Sequence, residues 1–117
     1  MTKIARYLFG IEIAQSIITR TFDGEHWYMA SDICSLLGIS NHSQAVRIHL
    51  FEDEYRKESI YIGGYGKKKV LLISNSGLLK LIVIGRSENA IQVREKAKYT
   101  PTELKTVDWP AELEITA

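Results

Sequence analysis

Seven residues, LLKLIVI at 78–84, constrain this chain most. Six of the seven are aliphatic and only Lys80 interrupts them, a pattern too continuous for an exposed helix. The run reads as a central buried helix packed against a sheet. Lys80 is expected to lay its aliphatic stem on apolar surface and leave its charge in water. Ser74, Asn75 or Ser76 supplies the cap and Gly85 the stop. A chain of 117 residues suits one domain around one core.

The remaining segments supply what that helix packs against. Residues 4–11, IARYLFGI, read as a first strand or a short helix. Residues 16–30 hold two β-prone runs around Asp23-Gly24, a hairpin signal because both turn residues tolerate positive φ. Trp27 and Met29 share one side of the second strand and Tyr28 takes the other, with one aromatic expected in the core. Ser31 then caps a helix that has Asp32 in its first turn, Ile33, Leu36 and Leu37 on one face, and Gly38 as its stop. A second short helix starts near Ser40 or Asn41. It turns Val46 and Leu50 inward with Ala45 beside them, and Gln44 and Arg47 toward another face. The run EDEYRKE at 52–58 reads as a solvated junction that carries no site.

Residues 59–62 and 70–73 read as strands joined by GGYGKKK, a pliable hairpin tip with lysines at its return. Ser87 caps a helix over about 88–98, with Ile91, Arg94 and Glu95 as its amphipathic pattern. The sum is an α+β domain, small and mixed, with β-hairpins packed against short helices over residues 1–100. From Pro101 the chain turns acidic through Asp108, Glu112 and Glu114, with Trp109 and Pro110 as one anchoring contact. Residues 101–117 read as a C-terminal arm or a partner-docking tail.

Fifteen Lys and Arg face 14 Asp and Glu, a net charge of +1, so placement matters more than the sum. Two features point to nucleic acid. One is the helix pair around Gly38, which resembles helix-turn-helix geometry with His42, Ser43, Gln44 and Arg47 on its second helix. The other is the hairpin tip, where Tyr65 and Lys67, Lys68 and Lys69 can wrap a phosphate backbone; Arg86, with Arg94, Lys96 and Lys98, adds positive charge further along the chain. The competing reading is a soluble turn whose lysines discourage edge-to-edge pairing. A β run follows the lysines, so the loop is not a nucleotide-binding P-loop.

Enzyme readings are weak. The single cysteine excludes an intrachain disulfide, and Cys34, beside Ile33 and before Leu36, reads as a small core residue. His26, His42 and His49 do not form a zinc set. No catalytic residue, metal or cofactor is expected. Nothing reads as a signal peptide, and no apolar run approaches a span of roughly 20 residues. A cytoplasmic location in a host cell, without a membrane, is the expectation.

The motifs DGEHWYMASDICSLLGISNHSQAV and LLISNSGLLKLIV resemble the BRO N-terminal (Bro-N) domain, found in phage antirepressors and in proteins of large DNA viruses. The first carries Asp23-Gly24, Trp27-Tyr28, Asp32-Ile33-Cys34 and Leu37-Gly38. The second carries Ile73-Ser74 and Ser76-Gly77-Leu78. The resemblance covers about residues 16–98. It implies double-stranded DNA as partner and phage or viral regulation, with no catalytic set. A repressor or host protein, or a second copy in a homodimer, is the alternative partner. The chain departs from the family after Ala90, where REKAKYTPTELKTVDWPAEL replaces a tryptophan-containing helix and a leucine-proline pair. No second domain follows in this sequence.

Overall fold

The computed structural model describes residues 2–114, with Tyr65 described at its backbone alone. The described residues form α1 (Lys3–Phe9), α2 (Ile11–Ser16), β1 (Thr19–Phe22), β2 (Glu25–Met29), α3 (Ala30–Leu37), α4 (His42–His49), β3 (Tyr55–Tyr61), β4 (Lys67–Ile73), α5 (Asn75–Ile84) and α6 (Glu88–Ala97). The architecture is α+β, built on one antiparallel sheet in the order β1-β2-β4-β3.

The first hairpin closes at Asp23-Gly24, where Phe22 pairs with Glu25 across a two-residue turn. Asp23 and Gly24 have φ of 53° and 79°, the double positive φ that matches the twist of the flanking strands. Both aromatics of β2 are buried, on opposite faces. Tyr28 enters the main core among the helices, and Trp27 packs with Ile60, Val70 and Leu72 in a smaller cluster. Ahead of the hairpin, residues 4–11 are helical. Thr2 caps α1 by accepting from the Ala5 N–H at 3.1 Å, and Gly10, at φ 83°, separates α1 from α2.

Helix α3 starts earlier than a Ser31 cap predicts. Strand β2 runs straight into it, so Met29 occupies the cap position without a side-chain bond and Ser31 already lies within the helix. Asp32 reaches back, and its Oδ2 accepts from the Ile18 N–H at 2.8 Å. Gly38 ends the helix in the left-handed region at φ 72°, and the Ile39 N–H closes on the Cys34 carbonyl at 2.9 Å. Helix α4 follows Asn41, whose side chain accepts from the Gln44 N–H at 3.1 Å, and it buries Ala45 and Val46.

Helix α5 is the central buried helix, with Leu78, Leu79, Leu81 and Ile82 fully enclosed. Ser74 caps it, accepting from the Gly77 N–H at 3.2 Å. At the other end the Arg94 guanidinium donates to the carbonyls of Ile82 at 2.8 Å and Gly85 at 2.6 Å, serving groups that a helix end leaves unpaired. Gly85 is there for space: a Cβ would lie 2.7 Å from Ala90 Cβ and 2.9 Å from the Leu37 carbonyl. Helix α6 buries Ala90, Val93 and Ala97 and leaves Ile91 exposed. The expected stripe through Ile91 is therefore rotated, because small residues suit the close approach of α6 to α3 and α5.

The charged run at 52–58 is not a solvated junction. Glu54 is buried, and its Oε1 accepts from Lys80 Nζ at 2.6 Å and from the Phe51 N–H at 2.8 Å. The Lys80 charge thus sits in an ion pair rather than in open water. Burial pushes the Glu54 carboxyl upward, but the bonds from Lys80, Phe51 and Ser76 outweigh it and the net shift is downward. Tyr55 onward belongs to β3. The β3–β4 ladder runs from Tyr55↔Ile73 to Tyr61↔Lys67, longer than the expected 59–62 and 70–73. Lys67, Lys68 and Lys69 are therefore strand residues, and the tip shrinks to 62–66. Backbone pairing continues past the apolar residues because both faces of the distal hairpin can solvate charged side chains. Near the C-terminus, Trp109 and Leu113 are buried in the main core, with the short turn at Ala111–Leu113 against α6. Among the described residues no helix is long and apolar enough to cross a membrane.

Candidate nucleic-acid interface

The β3–β4 hairpin outruns the rest of the sheet. Strand β2 pairs with β4 at Tyr28↔Ile73 and Met29↔Leu72, then turns into α3. Past that point β4 borders a cleft of about 470 Å³ instead of another strand. Lys57, Lys68 and Lys69 line its hairpin side, and Ser31, His42 and Ser43 line the helical side. Among the described residues no carboxylate lines it.

Ladder register explains how the lysines converge. Residues directly opposite share a face, so Leu71 with Lys57, Lys69 with Ser59 and Lys67 with Tyr61 place Lys57, Lys67 and Lys69 together. Lys57 and Lys69 are diagonal neighbours there. Lys68 points to the other face beside Ile60. Lys67 holds its ammonium 5.6 Å from the Tyr61 ring centroid, a cation–π contact that still leaves its donors to water. Glu58, the nearest acid on β3, shares the face of Lys68, away from Lys57, Lys67 and Lys69, and is bonded by Arg56.

The residues singled out from sequence divide around α4. His42 and Ser43, at its start, meet Lys68 and Lys69 in the basic cleft. Gln44 lies on the other side with Asn41, Ile48 and Arg86, along a second cleft of about 540 Å³. Arg47 is exposed and lines neither cleft. The Tyr65 side chain lies outside the described residues. Lys57 was missed, hidden in a run read as a junction. Its signal was the β-compatible spacing of Tyr55, Lys57 and Ser59, visible only once β3 is extended back to Tyr55.

Charge is segregated despite the near-zero total. A separate cleft of about 1020 Å³ is lined by Glu25, Asp53, Glu54 and Asp108, with Lys80 and His26. Nothing in either region resembles a catalytic set. Cys34 is buried, and burial pushes its thiol up to about 11, which disfavours the nucleophilic thiolate. Among the described residues no group of three or more His, Cys, Asp or Glu is placed to hold a metal.

A family model described as the BRO family, N-terminal domain, matches residues 16–101. The chain belongs to that family. The match runs from the end of α2 to just past α6, so it includes the helix pair and the whole basic hairpin of this Bro-N domain. No curated protein and no solved structure matches the chain. Bro-N membership supports a regulatory role of the phage and viral kind, and it is non-catalytic.

Proposed function

We propose that this Bro-N domain is a DNA-binding regulatory domain of the antirepressor type. It lays the β3–β4 hairpin and α4 against one side of double-stranded DNA. The observation that carries this reading is the cleft in which Lys57, Lys68 and Lys69 face His42 and Ser43, with no carboxylate among the described residues that line it. Ammonium groups on a paired hairpin fix the protein on the phosphate backbone, and the hydroxyl and imidazole across the cleft add hydrogen bonds there. Gln44, Arg47 and Arg86, on the adjoining surface of α4 and beyond it, are the groups that meet base edges or a second phosphate run. Residues 1–100 form the binding unit, and the segment from Pro101 closes its core.

The test separates positioning from reading. Lys57→Ala should weaken binding to all duplex sequences alike. Gln44→Ala or Arg47→Ala should change which sequences are selected from a mixed duplex pool. Binding that ignores Lys57 and Lys69 would refute this site.

A further inference from the structure

We infer that the free edge of β4 takes an extended acidic peptide, which joins the sheet as an added strand. The hydrogen-bond phase of the hairpin shows which backbone groups face outward. The Ile62 N–H donates to the Gly66 carbonyl at 3.2 Å. Antiparallel alternation from that pair turns Lys68, Val70 and Leu72 toward β3, and Lys67, Lys69 and Leu71 away from it. On that outward side β2 pairs only as far as Met29↔Leu72 before it turns into α3, so Lys67 and Lys69 lie beyond its reach. Among the described residues no side chain bonds the Lys69 N–H or carbonyl, and no strand pairs there. The cleft of about 470 Å³ runs beside this edge, with Ser31, His42 and Ser43 as its far wall.

Charge selects the occupant. A second copy paired through its own β4 would set lysine against lysine, which lysine-bearing edges discourage. An added strand puts alternate side chains on one face, so carboxylates at positions i and i+2 fall opposite Lys67 and Lys69, with Lys57 one strand further. The recognised class is therefore an extended acid-x-acid segment, held by main-chain bonds and read by the lysines. This site does not depend on the DNA reading. Where both hold, peptide and DNA compete for the same lysines.

The experiment uses the full chain, labelled with nitrogen-15, and a six-residue peptide alternating glutamate and valine. Its counterpart alternates lysine and valine. The Lys69 and Leu71 amides should shift, and exchange of the Lys69 amide should slow by about tenfold or more at saturation. Lys69→Pro removes the outward N–H without touching a β3 bond, so it should bind the peptide about tenfold more weakly than Lys69→Gln. Unchanged exchange at Lys69, or equal binding of the lysine-valine peptide, would overturn the inference. So would Lys69 protection that rises with protein concentration alone, or amide shifts caused by duplex DNA and not by the peptide. The exchange measurement on the unsubstituted chain decides the matter even where the proline variant fails to fold.

Discussion

Lys80 Nζ stands 2.6 Å from Oε1 of Glu54, tying the central helix α5 to the turn that leads into β3. The two partners are unequal: the Glu54 side chain is 7% exposed and that of Lys80 is 29% exposed. Lys80→Met leaves a buried carboxylate without its cation and is expected to cost about 2–3 kcal/mol. Glu54→Gln leaves an ammonium that can still reach water and should cost less. Denaturant unfolding of both variants checks the order.

The same pair predicts an acid limb of stability. The Glu54 carboxyl titrates below its ordinary 4.5 in the folded chain. Its contribution is complete above that unfolded value and fades as pH falls through the lower folded one. Unfolding midpoints should therefore drop below about pH 4.5, and Lys80→Met should flatten that part of the profile.

Tyr28 OH donates to Asn75 Oδ1 at 2.6 Å and lies 2.7 Å from Thr2 Oγ1, joining the start of α1, the sheet and α5. Tyr28→Phe keeps the ring and removes both bonds while Thr2 Oγ1 keeps the Ala5 N–H, so a loss of about 1 kcal/mol is expected. Burial, partly opposed by the Thr2 bond, pushes the phenol up to about 12. The folded chain should show no phenolate absorbance from Tyr28 near its ordinary value of 10. Stability from this group should fade as pH rises above that value, because the unfolded chain ionises first.

Gly85→Ala forces a Cβ into Ala90 and the Leu37 backbone and should cost about 1–3 kcal/mol. Gly64→Ala, at a tip position with open space around it, should be close to neutral. Comparing their thermal midpoints separates packing from glycine count.

Much of this was legible in the sequence because local chemistry agreed with the fold. Asp23-Gly24 named its turn, Gly38 its helix stop, and the aliphatic run its buried helix. The misplaced features depend on what lies across from them. Lys67 to Lys69 look like loop residues until Ser59 to Tyr61 pair with them. Glu54 looks like surface charge until Lys80 arrives from 26 residues away. Ile91 attracts attention as the largest apolar residue of its helix, yet Ala90, Val93 and Ala97 make the close contact. The basic cleft joins residues of α4 to residues of two strands, so only Lys67 to Lys69 and the helix announced it, and Lys57 did not.

The most direct test of the basic cleft is the salt dependence of duplex DNA binding by the full chain and by the triple variant Lys57→Ala, Lys68→Ala and Lys69→Ala. Taking one ammonium off a phosphate should lower the slope of log affinity against log salt by about 0.9, so a reduction of about two to three is predicted. Lys98→Ala, which removes an ammonium bonded to Glu95 on α6, should leave the slope unchanged. Equal slopes for the triple variant and the parent chain, or no DNA binding at low salt, would contradict the account.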